Sequence, residues 1–350
     1  MIKKIIPIAL ALILLLSLPS CAGSDQRYTV TYFEYFDTVS ELIGYTGSRQ
    51  RFDEVSEALR ELLDNCHKQF DIYNEYEGLV NLATINRSKG TQNRKFSISK
   101  ELYELLSLGK EAYSLTEGKL NVTMGSVLSI WQECRNAEEP HLPDPMTLLM
   151  AGTHINPGLF SIYETDDGYL LTIIDPSLTF DVGALAKGYT ARLAIELLNE
   201  LCLPEESFLL NLGGMVCPIG AKPDGNGWTA GIAYPKTSAS QGEYLRTVIL
   251  SDGALVTSAS HLRAFEVDGK SYGHIIDPET LYPADHFASV TVYCQDPAVG
   301  DALSTAFFCM SEADGRRLAE ELSDVWGNIE VLWVYPNMSV AETDGFPRAE

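Results

Sequence analysis

Basic residues are scarce in this chain. Its 350 residues include 25 Lys and Arg against 48 Asp and Glu, a formal net charge of −23. Such an excess of carboxylates opposes the counterion release that drives binding to DNA or RNA, so no nucleic-acid partner is expected. Zinc-type cysteine pairs are missing too. Cys66, Cys134, Cys202, Cys217, Cys294 and Cys309 include no two at CxxC spacing, which removes support for a structural zinc site. An even six would permit disulfides in an exported protein, yet several lie in apolar surroundings such as VTVYCQD and TAFFCMS, where a free thiol behaves as a small hydrophobe. Mostly buried thiols are expected. A Walker loop, internal repeats, low-complexity runs and an obvious linker are also absent. What is present is ordinary globular material, 45% apolar, 10% aromatic and 21% charged, enough for a folded protein with a sizeable core.

The first residues read apart from the rest. Lys3 and Lys4 precede an apolar run from Ile5 to Leu18, too short to cross a bilayer as a helix but suited to a secretory signal over residues 1–20. The run ends in Leu18-Pro19-Ser20-Cys21, which resembles the lipobox at which bacterial lipoproteins are cleaved and acylated. Residues 21–27 would then be a polar tether from a lipidated Cys21, and the protein would be exported and held at the outer face of the cytoplasmic membrane. Ordinary signal cleavage nearby, with Cys21 unmodified, is the other reading. A surface so acidic is repelled by anionic lipid, so attachment would rest on acyl chains.

Beyond the tether, strand-like alternation over Tyr28–Thr46 leads to a helix over Phe52–Tyr73, where Val55, Leu59, Leu62 and Leu63 recur at helical spacing. Further helices are expected over Leu102–Leu115, Lys187–Leu201 and Asp301–Leu322. Ser161–Thr179 reads as a hairpin turning at Asp167-Gly168. Strands are expected over Ser207–Leu212, Gly227–Ala233, Leu245–Leu250, Arg263–Val267, Ser289–Tyr293 and Glu330–Tyr335. Helices and hairpins in irregular alternation imply one large mixed α/β, or α+β, domain over residues 28–350, and not a doubly wound parallel sheet.

Four segments carry chemistry. In DVGALAKGY, Asp181–Tyr189, a strand ends in an Asp and enters a helix with Lys187 near its start, a natural place for an anion. A tight turn with Lys187 in solvent fits the same residues. In NLGGMVCPIG, Asn211–Gly220, two glycines permit close approach of a ligand or simply a bulge. In SYGHIIDPETLYP, Ser271–Pro283, His274 stands between a hairpin (EVDGKSYG) and a turn, where function or packing could hold it. In VGDALSTAFF, Val299–Phe308, Asp301 and Thr305 share one helix face. They form the sparse oxygen set that Mg²⁺ accepts when phosphates complete its octahedron, or else a helix N-cap with a Thr bonded to the preceding turn.

These segments fall in a telling order. FDT (Phe36–Thr38), FDIY (Phe70–Tyr73), ATIN (Ala83–Asn86), TEGKLNVTMGSVLSIW (Thr116–Trp131), DVGALAKGY, NLGG, GWTAGIAYP (Gly227–Pro235), ALVTSAS (Ala254–Ser260), YGHIIDPET and GDALSTAFF run as in the ApbE family, which contains FAD:protein FMN transferases. The resemblance spans about Tyr32 to Leu322, and DVGALAKGY, HIIDP and GDALSTA are its specific parts. It implies an ApbE-like fold of mixed sheets and packed helices. FAD, as substrate, is implied at Phe36, Tyr73, Lys119, Leu120, Asn121, Asp181, Lys187 and Ile275. Mg²⁺ is implied on the pyrophosphate, held by a backbone oxygen at Ala184 and the side chains of Asp301 and Thr305. His274 matches the family histidine beside the site of transfer.

The activity implied is Mg²⁺-dependent transfer of FMN from FAD to a Thr or Ser hydroxyl of an acceptor redox protein, with AMP leaving. FAD hydrolysis to FMN and AMP, or flavin or solute binding without turnover, are the alternatives. Four positions depart from the family pattern: Asn121 replaces the Asp of GxFDxT, Leu281 the Gly of PxTGYP, Ala259 the Gly of TSG, and Met215 the Asp after GG. Asn121 could still hydrogen-bond FAD without a charge. Leu281 does not readily adopt a positive φ, so its turn is expected to differ.

Overall fold

The computed structural model describes residues 26–235, 244–260 and 263–349. The signal segment and Cys21 lie outside the described residues. Gln26 and Arg27, the last residues of the expected tether, pair with Thr46 and Tyr45 as the start of a strand.

The chain opens with a hairpin of β1 (Gln26–Tyr32) and β2 (Ser40–Thr46), so the alternation read over Tyr28–Thr46 is two strands broken at residues 33–39. Next come α1 (Arg49–Phe70), α2 (Leu82–Arg87), β3 (Arg94–Ile98), α3 (Lys100–Leu115), α4 (Gly125–Asn136) and α5 (Pro145–Gly152). Local chemistry starts most of these helices: the side chains of Ser48, Asn81, Ser99 and Asp144 each accept an amide of the first turn, satisfying one of the donors a helix start leaves open. The hairpin β4 (Phe160–Thr165) and β5 (Gly168–Ile173) pairs Thr165 with Gly168. Its two loop residues are therefore Asp166 and Asp167, one position earlier than expected.

After α6 (Ala186–Leu201) come β6 (Ser207–Leu212), β7 (Met215–Ile219), β8 (Trp228–Ala233), β9 (Tyr244–Leu250), β10 (Ala254–Ala259), β11 (Phe265–Val267), β12 (Lys270–Tyr272) and β13 (Ser289–Cys294). The helix expected over Asp301–Leu322 is two, α7 (Pro297–Phe308) and α8 (Glu312–Trp326). Asp296 caps the first with Pro297 at its opening position, and Ser311 caps the second by accepting from Asp314. Asp301 therefore sits inside a helix, which removes the N-cap reading of its carboxylate. β14 (Ile329–Val334) and β15 (Val340–Glu342) complete the order.

One eight-stranded sheet, ordered β1-β2-β6-β7-β10-β13-β14-β15, runs through the molecule with every pair antiparallel. Both of its faces are covered. Ala254 and Val256 of β10 join the core under α1 and α6, while Leu255 between them points to the opposite side and packs with Ile232 and Val248 of the β8–β9 hairpin. In β14, Val331 and Trp333 face the helices and Leu332 and Val334 face that hairpin, the period-two alternation of a strand buried twice. A smaller sheet, β3-β5-β4, carries α3 against the main core. Trp131 of α4, Leu148 of α5 and Ile276 form a separate cluster. The six cysteines from Cys66 to Cys309 are free, and all but the half-buried Cys202 are buried, as the sequence implied.

Candidate active site

The segment that introduces the site is extended but belongs to no sheet. Asp181 donates its amide to the Val122 carbonyl at 2.9 Å, and its Oδ1 accepts the Gly183 amide at 2.9 Å. Part of Asp181 is open to solvent, yet the protein crowding its carboxyl pushes the pKa above the usual carboxylate range; the Gly183 bond opposes this. Residues 182–185 then turn into α6, which starts without a side-chain cap of its own.

The missing cap comes from another helix. A Cβ on Gly188 would lie 2.5 Å from both the Asp301 Cβ and the Pro297 carbonyl, so only glycine lets α6 and α7 cross this closely. At that crossing Asp301 Oδ2 accepts the buried Gly188 amide at 2.9 Å, and Oδ1 faces Lys187 Nζ at 3.4 Å. Lys187 also reaches the Gly183 carbonyl at 3.4 Å. A carboxylate thus satisfies a first-turn donor at the positive end of α6. One turn further along α7, Thr305 Oγ1 stands 3.4 Å from Ser258 Oγ, which is 2.8 Å from Ser304 Oγ. Ser258, at the end of β10, escaped sequence reasoning because nothing local to ALVTSAS distinguishes it.

This donor set fits a hard divalent cation. Asp301 Oδ1, the Thr305 hydroxyl, the Ser258 hydroxyl and the carbonyls of the turn through Ala184 are all oxygens. One carboxylate is too little to hold such an ion by itself, and no group of three or more His, Cys, Asp or Glu suited to a metal occurs among the described residues. The site therefore fits Mg²⁺ that arrives with phosphate oxygens.

A second group gathers around Tyr73. Phe36 and Asp37, consecutive non-glycine residues at φ +55° and +50°, are held in part by His67 Nδ1, which accepts the Phe36 amide at 3.3 Å. Arg263 approaches Asp37 at 3.9 Å. Tyr73 is half exposed, and its hydroxyl accepts from Gln132 at 3.0 Å. Burial, followed by the nearby Asp181 charge, raises its phenol pKa. The NLGG turn lies alongside: a Cβ on Gly213, at φ +60°, would meet Thr38 Oγ1 at 2.4 Å. The close approach allowed by that glycine is thus made by Thr38. Met215 is buried in the core beneath α1 and α6.

The third group ties GKLN to HIIDP. Lys119 Nζ donates to Asp277 at 3.0 Å and Glu279 at 2.8 Å, so its charge is answered within the protein. Cavities of about 300 and 470 Å³ flank this bridge. Leu120 is buried, backbone included, and its amide donates to Thr116 Oγ1 at 3.0 Å, so it offers a ligand no open surface here. Asn121 Oδ1 accepts the amide and hydroxyl of Thr123, and its Nδ2 donates to the Ile155 carbonyl at 2.8 Å. Its amide therefore anchors the 153–156 loop. His274 is half-buried just past β12 and precedes the buried Ile275, whose carbonyl accepts from Ala284 at 2.9 Å.

Leu281 contradicts the expectation for its turn. It adopts φ +63°, so the chain keeps the left-handed backbone that glycine would favour. Trp131 Nε1 holds its carbonyl at 2.9 Å and its side chain fills the space above Gly152.

A model of the ApbE family matches residues 25–331. Among curated relatives, the FAD:protein FMN transferase of Haemophilus influenzae is 26% identical over 330 residues, 91% of each chain. That of Vibrio cholerae is 28% identical over 288 residues, 81% of this chain and 79% of the relative. Among solved structures, the ApbE protein of Thermotoga maritima superposes with a TM-score of 0.78 at 26% identity, covering 92% of this chain and 98% of that one. The flavin transferase ApbE of Vibrio cholerae gives 0.73 at 22% identity over 91% and 97%, a likeness of fold.

Proposed function

The chain belongs to the ApbE family, and on that footing we propose that it transfers FMN from FAD to a Thr or Ser hydroxyl of another protein, with AMP leaving. The observation that carries this reading is the α6–α7 crossing, where Asp301 meets Lys187 and the Gly188 amide at a helix start, with Thr305 one turn further along α7. An anionic pyrophosphate suits the ammonium and the helix N-terminus there. Asp301, Thr305 and the Ala184 carbonyl would hold Mg²⁺, which when bound withdraws charge from the pyrophosphate.

Phe36, Tyr73, Asp181 and Ile275 would orient the flavin nucleotide. His274 takes the proton from the acceptor hydroxyl as its oxygen bonds to the FMN phosphorus. The phosphorus–oxygen bond to AMP breaks, and AMP carries away the bridging oxygen. The apolar run Ile5–Leu18 and the lipobox-like Leu18-Pro19-Ser20-Cys21 support export and anchoring through an acylated Cys21, with an exported redox protein as acceptor. Among the described residues no helix is long and apolar enough to cross a membrane.

The test is mass analysis after incubation with FAD, Mg²⁺ and a candidate acceptor. Acceptor heavier by one FMN, with AMP released in equal amount, is the expected result. Free FMN and AMP would instead identify hydrolysis. FAD left intact with competent acceptors would overturn the enzymatic reading.

A further inference from the structure

Asn86, the last residue of ATIN, has no part in the chemistry above, yet its side chain does for one peptide what a neighbouring strand would do. Its Nδ2 donates to the Phe180 carbonyl and its Oδ1 accepts the Phe180 amide, both at 2.8 Å and across 94 residues of sequence. Phe180 is fully buried and immediately precedes Asp181. The other edge of the same extended segment is also held: the Thr179 carbonyl accepts from Gly125 at 3.2 Å, and Asp181 donates to Val122 at 2.9 Å.

The buried Arg94 adds a second tie on the Asn86 side. Its guanidinium donates to the Ile85 carbonyl at 3.2 Å in α2 and to the Leu178 carbonyl at 2.7 Å. Carbonyls 178 and 180 thus bond to the side chains of Arg94 in β3 and Asn86 in α2, and carbonyl 179 to the first amide of α4, the alternation of a strand with no neighbouring strand's backbone on these carbonyls. The turn carrying Asp181, Ala184 and Lys187 begins at the end of this clamp. A residue held on both edges has little freedom to tilt, and ligand geometry depends on such support.

We propose that Asn86 is a positioning residue for the flavin nucleotide, setting through Phe180 the orientation of Asp181 and of the turn that follows. The proposal rests on the flavin reading of that turn. Its test compares full-length wild type with Asn86→Ala, Asn86→Asp and Asp181→Ala for FAD affinity and thermal midpoint between pH 5 and 8, with binding measured well below every midpoint. Asn86→Ala is expected to bind FAD ~10- to 100-fold more weakly, the scale of two buried hydrogen bonds.

Asn86→Asp separates positioning from a general loss of stability. When protonated, the introduced carboxyl offers Phe180 the same donor and acceptor as the amide; when ionised, it repels the Phe180 carbonyl. Its FAD affinity, taken as a ratio to wild type because Asp181 also titrates, should recover as the pH falls. If Asn86→Ala does not fold, Asn86→Asp across pH carries the test alone. Wild-type FAD affinity in the Asn86 variants beside a weakened Asp181→Ala would overturn the proposal. So would a pH-dependent midpoint in Asn86→Asp with no matching change in affinity. Unchanged FAD binding by Asp181→Ala would remove the flavin reading itself, and the proposal with it.

Discussion

The indole Nε1 of Trp131 donates to the carbonyl of Leu281, 2.9 Å away and 150 residues later in the chain. Leu281 is the residue held at φ +63°, where an L side chain costs about 1–2 kcal/mol. Trp131, Gly152 and the cluster around Ile276 hold it there.

A reversed stability order follows at this turn. Leu281→Ala loses the packing and keeps the backbone cost, whereas Leu281→Gly loses the same packing and is relieved of that cost. Against the greater freedom of glycine in the unfolded chain, Leu281→Gly should still be more stable than Leu281→Ala by about 0.5–1 kcal/mol. Urea midpoints at matched slopes read the difference, and an alanine variant as stable as the glycine one would show that the turn relaxes.

Asp301 has two tasks that substitution can separate. Asp301→Ala leaves the buried Gly188 amide without its acceptor, a cost of about 1–3 kcal/mol, in addition to removing the charge. Asp301→Asn keeps an acceptor for Gly188 and removes only the charge. Both should lose Mg²⁺-dependent AMP release, while Asp301→Asn should hold its thermal midpoint closer to wild type. Thr305→Ala should weaken Mg²⁺ activation less, since a neutral ligand contributes less than a carboxylate. Full activity of Asp301→Asn at low Mg²⁺ would refute the metal assignment.

Asp181 has a pKa raised by burial, so the folded protein holds that proton more tightly than the unfolded chain. The stability linked to it is complete below the unfolded pKa and is lost as pH rises through the folded one. At pH 7, above the unfolded pKa, the carboxyl is therefore a cost to stability. Asp181→Asn should raise the melting temperature at pH 7, change it little near pH 3, and weaken FAD binding by ~10-fold, the scale of one hydrogen bond to a charged group. Calorimetry at the two pH values checks the sign. A lower melting temperature at pH 7 would mean that the Gly183 amide outweighs desolvation.

His274→Ala should leave FAD bound and slow transfer by ~10²- to 10⁴-fold if the imidazole is the general base. Single-turnover transfer with FAD-saturated enzyme measures the effect. A loss explained wholly by weaker FAD binding would leave Asp277 as the next candidate base.

Cys21→Ser should release the protein from membranes and preserve its soluble activity, because every motif residue follows the tether. Retention of the variant on membranes at high salt would rule out acylation at Cys21 as the anchor.

The sequence by itself settled what depends on neighbours a few residues apart. β6 begins and ends where its apolar run does, and α3 and α6 lie within two residues of their periodic patterns. The order of motifs fixed the family, while Asp181, Lys187, Asp301 and Thr305 already stood out in their own segments as groups suited to an anion and a hard cation. Even the break between α7 and α8 was open to local reading, since Pro297 and the Ser311 cap both mark helix starts. Only the tertiary structure decided how the site residues spend their bonds. Lys119 is neutralised by Asp277, Asn121 is turned to Ile155, Asp301 caps a helix other than its own, and Leu281 takes a glycine's backbone because a distant tryptophan holds it. Each of these contacts joins residues 34 to 158 positions apart, whereas hydrophobic period and capping signals report only on the adjacent turn or strand.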